Sequence, residues 1–180
     1  MTRLIALLCA IAAAAALRLV PHPPNFSPID AMALFSGAYV VKRWVAFAAP
    51  LAALLLSDLI LGFYSGMLFQ YAAVVLITLL GMAALSRVTV ARLVVASLAS
   101  SVLFFLVSNF GVWLVSGMYP QTVAGLAGCY VEAIPFFQNT VAGDLFYVAL
   151  LFGSFGLAEQ LLPRLRVGGR DQVATSPRAL

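Results

Sequence analysis

Long runs of apolar residues, separated by short polar connections, form the main hydrophobic pattern of this chain. A helix needs about 20 mainly apolar residues to cross about 30 Å of hydrocarbon. The pattern predicts six helices, over residues 3–20, 30–42, 45–64, 68–86, 91–116 and 141–162. The second run is too short for a full crossing, so we expect it to be extended by the preceding loop or held inside the bundle.

The composition indicates an integral membrane protein of the all-α class. Of the 180 residues, 64% are hydrophobic and 9% are charged, against roughly 45–50% apolar and about 25% charged residues in soluble domains. The chain is too short for a soluble domain beside six spans. We therefore predict one transmembrane helical domain over residues 1–164 and a polar, disordered cytoplasmic tail over 165–180.

The positions of the basic residues predict the orientation. If both termini are cytoplasmic, nine of the ten Lys and Arg residues lie inside and only Arg18 lies outside, as the positive-inside rule requires. The alternative is a cleaved signal peptide, because MTRLIALLCAIAAAAALRLV combines a basic start, an apolar core and small residues. Its removal would leave five spans.

Several function classes find no support in the sequence. The net charge of +4 does not indicate nucleic-acid binding, because the basic residues form short clusters between apolar runs. No GxxxxGK[ST] phosphate-binding loop occurs, so we expect no ATP hydrolysis by this chain. His22 lacks an HxH or CxxC partner, and Cys9 and Cys129 lie in different settings. We predict no cofactor, no metal and no disulfide.

Three predicted outer connections, residues 19–30, 63–70 and 117–140, are rich in aromatic residues, Pro and Gly. The predicted inner connections are short and basic. The third outer connection is long and too apolar to be disordered, so we expect it to fold back onto the bundle as a lid. A short interfacial helix within residues 121–135 would end at Pro135.

Two acidic residues lie near the predicted outer ends of the third and sixth spans. Asp144 is about one turn into the sixth span, and Asp58 is about one and a half turns from the end of the third. A charge at mid-bilayer costs at least about 2.5–3.5 kcal/mol, so we predict that both acids face one water-accessible pocket. In the alternative interpretation each acid caps a helix end, pairs with Arg18 or extends to water.

Aromatic, amide and acidic side chains near the predicted outer face complete a candidate ligand-binding set. Asn25 and Phe26 follow a Pro-rich turn, and Asn109 and Trp113 lie one turn apart on the fifth span. The remaining members are Tyr130, Glu132, Phe136, Phe137 and Asn139. Aromatic belts and a rigid Pro-rich elbow explain some of these residues equally well.

The strings NFSPIDAMALFSGAY, PLAALLLSDLILGFY and GCYVEAIPFFQNTVAGDLFYVALLFG resemble a bacterial family of uncharacterised transport proteins, described as a domain of unknown function. Residues 1–162 also resemble the substrate-binding S components of energy-coupling factor (ECF) vitamin transporters. The features that carry this second resemblance are six short helices with both ends inside, a small-residue first span, and long first and fifth loops.

The ECF resemblance implies a pocket beneath the first, third and fifth loops, around Asn25, Tyr64 and Phe136. It also implies that Ala6, Ala10 and Ala14 contact a transmembrane coupling subunit that works with ATPases. We therefore expect a non-enzymatic uptake protein of the bacterial inner membrane, whose ligand is a small molecule such as a vitamin or cofactor precursor.

Two other function classes stay open. A structural or assembly protein would use the alanine-rich first helix for helix–helix contacts. An intramembrane aspartyl enzyme would use Asp58 and Asp144, and the residues before Asp144 match a GxGD pattern except that Val141 replaces the first glycine.

Overall fold

A computed structural model describes residues 2–165 of the chain. The described part contains six α-helices and no strand. They are α1 (Thr2–Leu17), α2 (Ile29–Tyr39), α3 (Arg43–Leu61), α4 (Met67–Ala84), α5 (Val90–Val115) and α6 (Val123–Leu161), followed by a 3₁₀ turn, Pro163–Leu165. Helices α3 to α6 are long and apolar enough to cross a membrane, so the chain is a membrane-embedded helical protein. The predicted tail, apart from Leu165, lies outside the described residues.

The short helix α2 lies at the centre of the bundle. Its nine residues from Ile29 to Gly37 are all buried, and it contacts each of the other five helices. At 1.5 Å per residue it is only about 16 Å long, too short to cross the hydrocarbon. Because protein rather than lipid surrounds α2, the bilayer does not set its length.

Helices α2 and α4 cross at a pair of glycines. A Cβ added to Gly37 would lie 2.3 Å from the carbonyl oxygen of Thr78, and one added to Gly81 would lie 2.6 Å from that of Leu34. Both obstacles are backbone atoms, which cannot move aside as a flexible side chain can. The absence of two side chains therefore allows the close approach that buries α2.

Contacts between helix ends show that successive helices alternate in direction. Arg3, near the start of α1, pairs with Glu159 near the end of α6 at 2.5 Å. Arg18, just after α1, pairs with Asp58 near the end of α3 at 2.5 Å. We call the two ends of the bundle the Arg3 end and the Arg18 end. Among the described residues, the other basic side chains lie at the Arg3 end: Lys42, Arg43, Arg87, Arg92 and Arg164.

The prediction of a loop over residues 117–140 is wrong, because α6 begins at Val123 and continues through Pro135. The side chain of Thr122 caps its start by accepting a hydrogen bond from the backbone N–H of Gly125 at 3.1 Å. Contacts with α5 on both sides of Pro135 hold the helix together despite the lost N–H donor. Tyr130 donates to the carbonyl of Leu106 at 2.7 Å, and the Phe137 and Phe105 rings lie 5.0 Å apart.

The longer α6 changes the position of Asp144, which lies about six turns from the start of this helix rather than one. Asp58 lies within the last turn of α3. The prediction that Asp144 lies one turn into its helix rested on the wrong helix start.

The alanine positions predicted to dock a partner face the interior of this chain. Ala14 is buried, and Ala6 and Ala10 are partly buried against the core. Small side chains at these positions let α1 pack closely on α2 and α3. The alanines of α1 that remain exposed are Ala12, Ala13 and Ala16.

Candidate ligand-binding site

Asp58 belongs to a neutralised cluster at the Arg18 end. Its Oδ1 accepts from the Nη1 of Arg18 at 2.5 Å, and its Oδ2 accepts from the Tyr71 hydroxyl at 3.0 Å. Arg18 also donates to the Ser57 hydroxyl. Asp58 is fully buried, and the Arg18 side chain is 10% exposed. Both carboxylate oxygens therefore have donors, and the buried charge of Asp58 is paired with Arg18, one of the possibilities in the alternative interpretation of this residue.

Asp144 contacts a different acid, Asp30, in the first turn of α2. Both residues line one cavity and their carboxyl groups interact, and the two residues are 4% and 1% exposed. Asp144 Oδ2 also accepts from the Ser101 hydroxyl at 2.5 Å. Asp30 Oδ1, in contrast, is buried with no hydrogen-bond partner. An unpartnered buried carboxyl oxygen is costly, so this atom is a strong candidate for contact with a ligand.

A cavity of about 190 Å³ lies against this acid pair. Polar groups from four parts of the chain reach it: the connection between α1 and α2, and helices α2, α4 and α6. Its lining residues are Arg18, His22, Asn25, Ser27, Ile29, Asp30, Gln70, Phe104, Thr140 and Asp144. Within residues 2–165 no group of three or more His, Cys, Asp or Glu side chains is placed to hold a metal ion.

The segment of residues 19–28 covers the cavity. Asn139 donates from Nδ2 to the carbonyl of Pro24 at 3.0 Å, which joins the segment to α6. The Phe26 ring packs against Tyr147 with centroids 5.5 Å apart. Gly143 permits this approach, because a Cβ there would lie 3.1 Å from the Phe26 Cα. Asn25 adopts a left-handed backbone conformation with φ of 63°, which asparagine tolerates better than most residues.

The structure brings some predicted site residues together and separates others. Asn25 and Asp144 line the cavity, and Phe26 and Asn139 hold the segment that covers it. Asp58 is not a lining residue, but it orients Arg18, which is.

Apart from Tyr64, the other residues predicted for the site lie on α5 and α6, and most of them contact these two helices or the connection between them. The Asn109 amide donates to the carbonyl of Phe105 at 2.8 Å, and the Trp113 indole donates to that of Pro120 at 2.9 Å. Glu132 accepts from the Tyr119 hydroxyl at 2.7 Å. Tyr130 and Phe137 pack against α5, and Phe136 is 46% exposed.

Tyr64 lies in the connection between α3 and α4 and is not a lining residue of the cavity. Partial burial and the nearby negative charge of Asp58 raise the pKa of Tyr64 to about 12. Its hydroxyl is therefore protonated at neutral pH and can donate a hydrogen bond.

Sequence reasoning missed the residue at the centre of the site. Asp30 ends the predicted connection 19–30 and begins the predicted second helix, 30–42, but it is not among the predicted site residues. The available signal was an acidic residue in the first turn of a helix that is too short to cross the membrane and must therefore be buried. Gln70, Thr140 and Ser101 gave no sequence signal, because single polar residues in apolar helices are common.

Comparison with protein families gives one match, which spans nearly the whole chain. No curated protein and no solved structure matches the sequence. Residues 1–165 match a model described as "Family of unknown function (DUF6580)". This range includes all six helices and every residue of the cavity. The chain therefore belongs to DUF6580, a family of unknown function.

Proposed function

We propose that this chain is the substrate-binding protein of a membrane uptake system, and that it binds a small molecule in the cavity beneath the 19–28 segment. The observation that carries the proposal is a polar cavity inside an apolar bundle, with the unpartnered Oδ1 of Asp30 against it. Polar groups inside a membrane protein are costly and mark ligand pathways. A bundle stabilised by packing alone would not need them.

The size and chemistry of the cavity limit which ligands fit it. Its volume of about 190 Å³ is below the roughly 300–1,000 Å³ typical of pockets for drug-sized ligands. Carboxyl, amide and hydroxyl oxygens around it favour a ligand that donates hydrogen bonds. A small, donor-carrying compound fits these properties, and a larger vitamin would require the 19–28 segment to move outward.

The same proposal calls for a coupling partner that supplies energy, because the sequence has no phosphate-binding loop with which to hydrolyse ATP. As in ECF S components, we place a transmembrane coupling subunit against α1. The surface open to it is the groove between α1 and α3, lined on one side by Ala12 and Ala16 and on the other by Ala49 and Ala52. Small residues on both walls would let a partner helix approach closely.

We place the Arg18 end outside the cell and the Arg3 end in the cytoplasm of a bacterium, in its inner membrane. The basic residues concentrated at the Arg3 end support this orientation. A reporter enzyme that is active only outside the cytoplasm, fused after residue 180, is expected to be inactive. The same reporter inserted between Gly62 and Gly66 should be active, and the opposite pattern would reverse the orientation.

Ligand binding is tested by mass spectrometry of small molecules that co-purify with the protein in mild detergent. Asp30→Asn or Asp144→Asn is expected to weaken retention of the compound by about 1.5–3 kcal/mol, the usual value of a hydrogen bond to a charged group. That is a loss of roughly 10- to 150-fold in affinity. Glu132→Gln is the matched control, because this acid contacts Tyr119 away from the cavity. Equal retention by all three variants would refute the site.

One observation favours a second candidate function. Two carboxyl groups in contact are the arrangement used by aspartyl hydrolases, in which they share one proton. The pair is Asp30 with Asp144, because Asp58 has Arg18 and Tyr71 as its partners instead. An intramembrane hydrolase would cleave its substrate and lose turnover in both Asp30→Asn and Asp144→Asn. An uptake protein would release the bound compound unchanged.

A further inference from the structure

The close approach of Asp30 and Asp144 is favourable only if one of the two carboxyl groups carries a proton. A carboxylate only accepts hydrogen bonds, so a hydrogen bond between two carboxyl groups needs a proton on one of them. Two like charges at this separation also disfavour ionisation of both groups. The contact is buried on α2 and α6, and the Ser101 hydroxyl already donates to Asp144.

Among the described residues, no positively charged side chain forms an ion pair with Asp30 or Asp144. Arg18, just after α1, reaches the cavity, but its Nη1 donates to Asp58 and Ser57 of α3. From the 19–28 segment, the Nδ1 of His22 donates to the carbonyl of Pro23 at 3.0 Å.

The remaining helices add no positive charge near the pair. Helix α4 presents the neutral Gln70 and Tyr71, which donates to Asp58. Helix α5 presents Ser100 and Ser101, and α6 contributes no basic group to the cavity.

We propose that the Asp30–Asp144 pair holds one shared proton in the empty protein and exchanges it for the ammonium group of a cationic ligand. This inference rests on the proposed function and specifies its substrate class as small primary amines. On binding, the proton leaves to water at the Arg18 end, and the ammonium N–H groups donate to both carboxylates. The unpartnered Oδ1 of Asp30 gains a donor in this step.

The shared proton can be tested without any ligand. A negative result for the proton is therefore distinguishable from a negative result for the uptake proposal. Infrared difference spectra of the purified protein in H₂O and D₂O should show the C=O stretching band of a protonated carboxylic acid at neutral pH. The band is expected to disappear in Asp30→Asn and Asp144→Asn, because the new amide donates to the remaining carboxylate. It should persist in Asp58→Asn. A wild-type protein without the band, or a band at the same frequency in either pair variant, would overturn the proposal.

Ser101→Ala keeps both acids, so it tests the shared proton even if the Asn variants do not fold. Because Ser101 donates to Asp144 at 2.5 Å, its removal should shift the frequency of the acid band without abolishing it. An unchanged band in a folded Ser101→Ala protein would place the proton elsewhere and contradict the inference.

The exchange step is tested with methylammonium chloride as the probe. Methylammonium should remove the acid band, and its apparent dissociation constant should fall by up to about tenfold for each unit of rising pH while the pair holds its proton. Tetramethylammonium, which has the same charge but no N–H donor, and sodium chloride at equal ionic strength should leave the band in place. If methylammonium leaves the band in place, or if sodium removes it equally well, the amine exchange is refuted.

Discussion

Arg18→Met is expected to lower the free energy of unfolding by about 3–5 kcal/mol, the usual cost of breaking a buried ion pair. The loss arises because Asp58, which is fully buried, would keep its charge without its main partner. Tyr71 alone would remain as a donor. Thermal unfolding of the purified protein in mild detergent measures the effect.

Two further variants separate the ion pair from a general effect of removing an arginine. Arg87→Met removes an exposed arginine at the Arg3 end and should change stability by less than about 0.5 kcal/mol. The double variant Arg18→Met/Asp58→Leu should recover most of the loss, since an apolar pair of similar volume often replaces a buried ion pair without penalty. An Arg18→Met protein as stable as Arg87→Met would show that Asp58 does not depend on Arg18.

Gly37→Ala and Gly81→Ala are each expected to destabilise the protein by about 1–3 kcal/mol, the range found for overpacked cores. The added Cβ would lie 2.3 Å from a backbone oxygen in the first case and 2.6 Å in the second, so α2 and α4 must separate. Because both changes act on one crossing, the double variant should lose less than the sum of the two single losses.

Gly153→Ala is the matched control for the helix crossing. This glycine lies inside α6, and a Cβ there would meet no atom within 4 Å. Alanine is the better helix former by roughly 0.5–1 kcal/mol, so the control should be neutral or slightly stabilising. If Gly37→Ala behaves in the same way, the close approach of α2 and α4 is wrong.

The two sets of variants also test how the site is supported. Separating α2 from α4 would move Asp30, which lies in the first turn of α2. Arg18→Met leaves Asp30 and Asp144 in place and changes only another lining residue of the cavity. We therefore expect Gly37→Ala to weaken the infrared signature of the acid pair and Arg18→Met to leave it intact.

The predictions about helices succeeded where a local pattern was sufficient. Apolar runs of 19 to 26 residues correctly located α3, α4 and α5 to within a few residues, because bilayer thickness sets a minimum length of about 20 residues for a spanning helix. Of the two alternatives for the second run, the structure shows the one inside the bundle, since a helix of 11 residues cannot cross by itself.

The start of α6 was placed 18 residues too late, at 141 rather than 123. Pro135, Glu132 and the polar residues near it are ordinary signals of a loop. They are overridden by packing against α5, where Tyr130 and Phe137 find their partners on either side of the proline. No local pattern records such a contact.

The sequence by itself determined a membrane-embedded helical chain and, within residues 2–165, six helices with the basic residues concentrated at one end, because composition, run length and charge are local properties. Only the tertiary structure decided which acids meet. Asp30 and Asp144 are 114 positions apart in the chain, and they come together because Gly37 and Gly81 let α2 lie deep among its neighbours. The tertiary structure also decided that Asp58 pairs with Arg18, because a buried charge needs a partner of opposite charge and only the fold brings these two residues together.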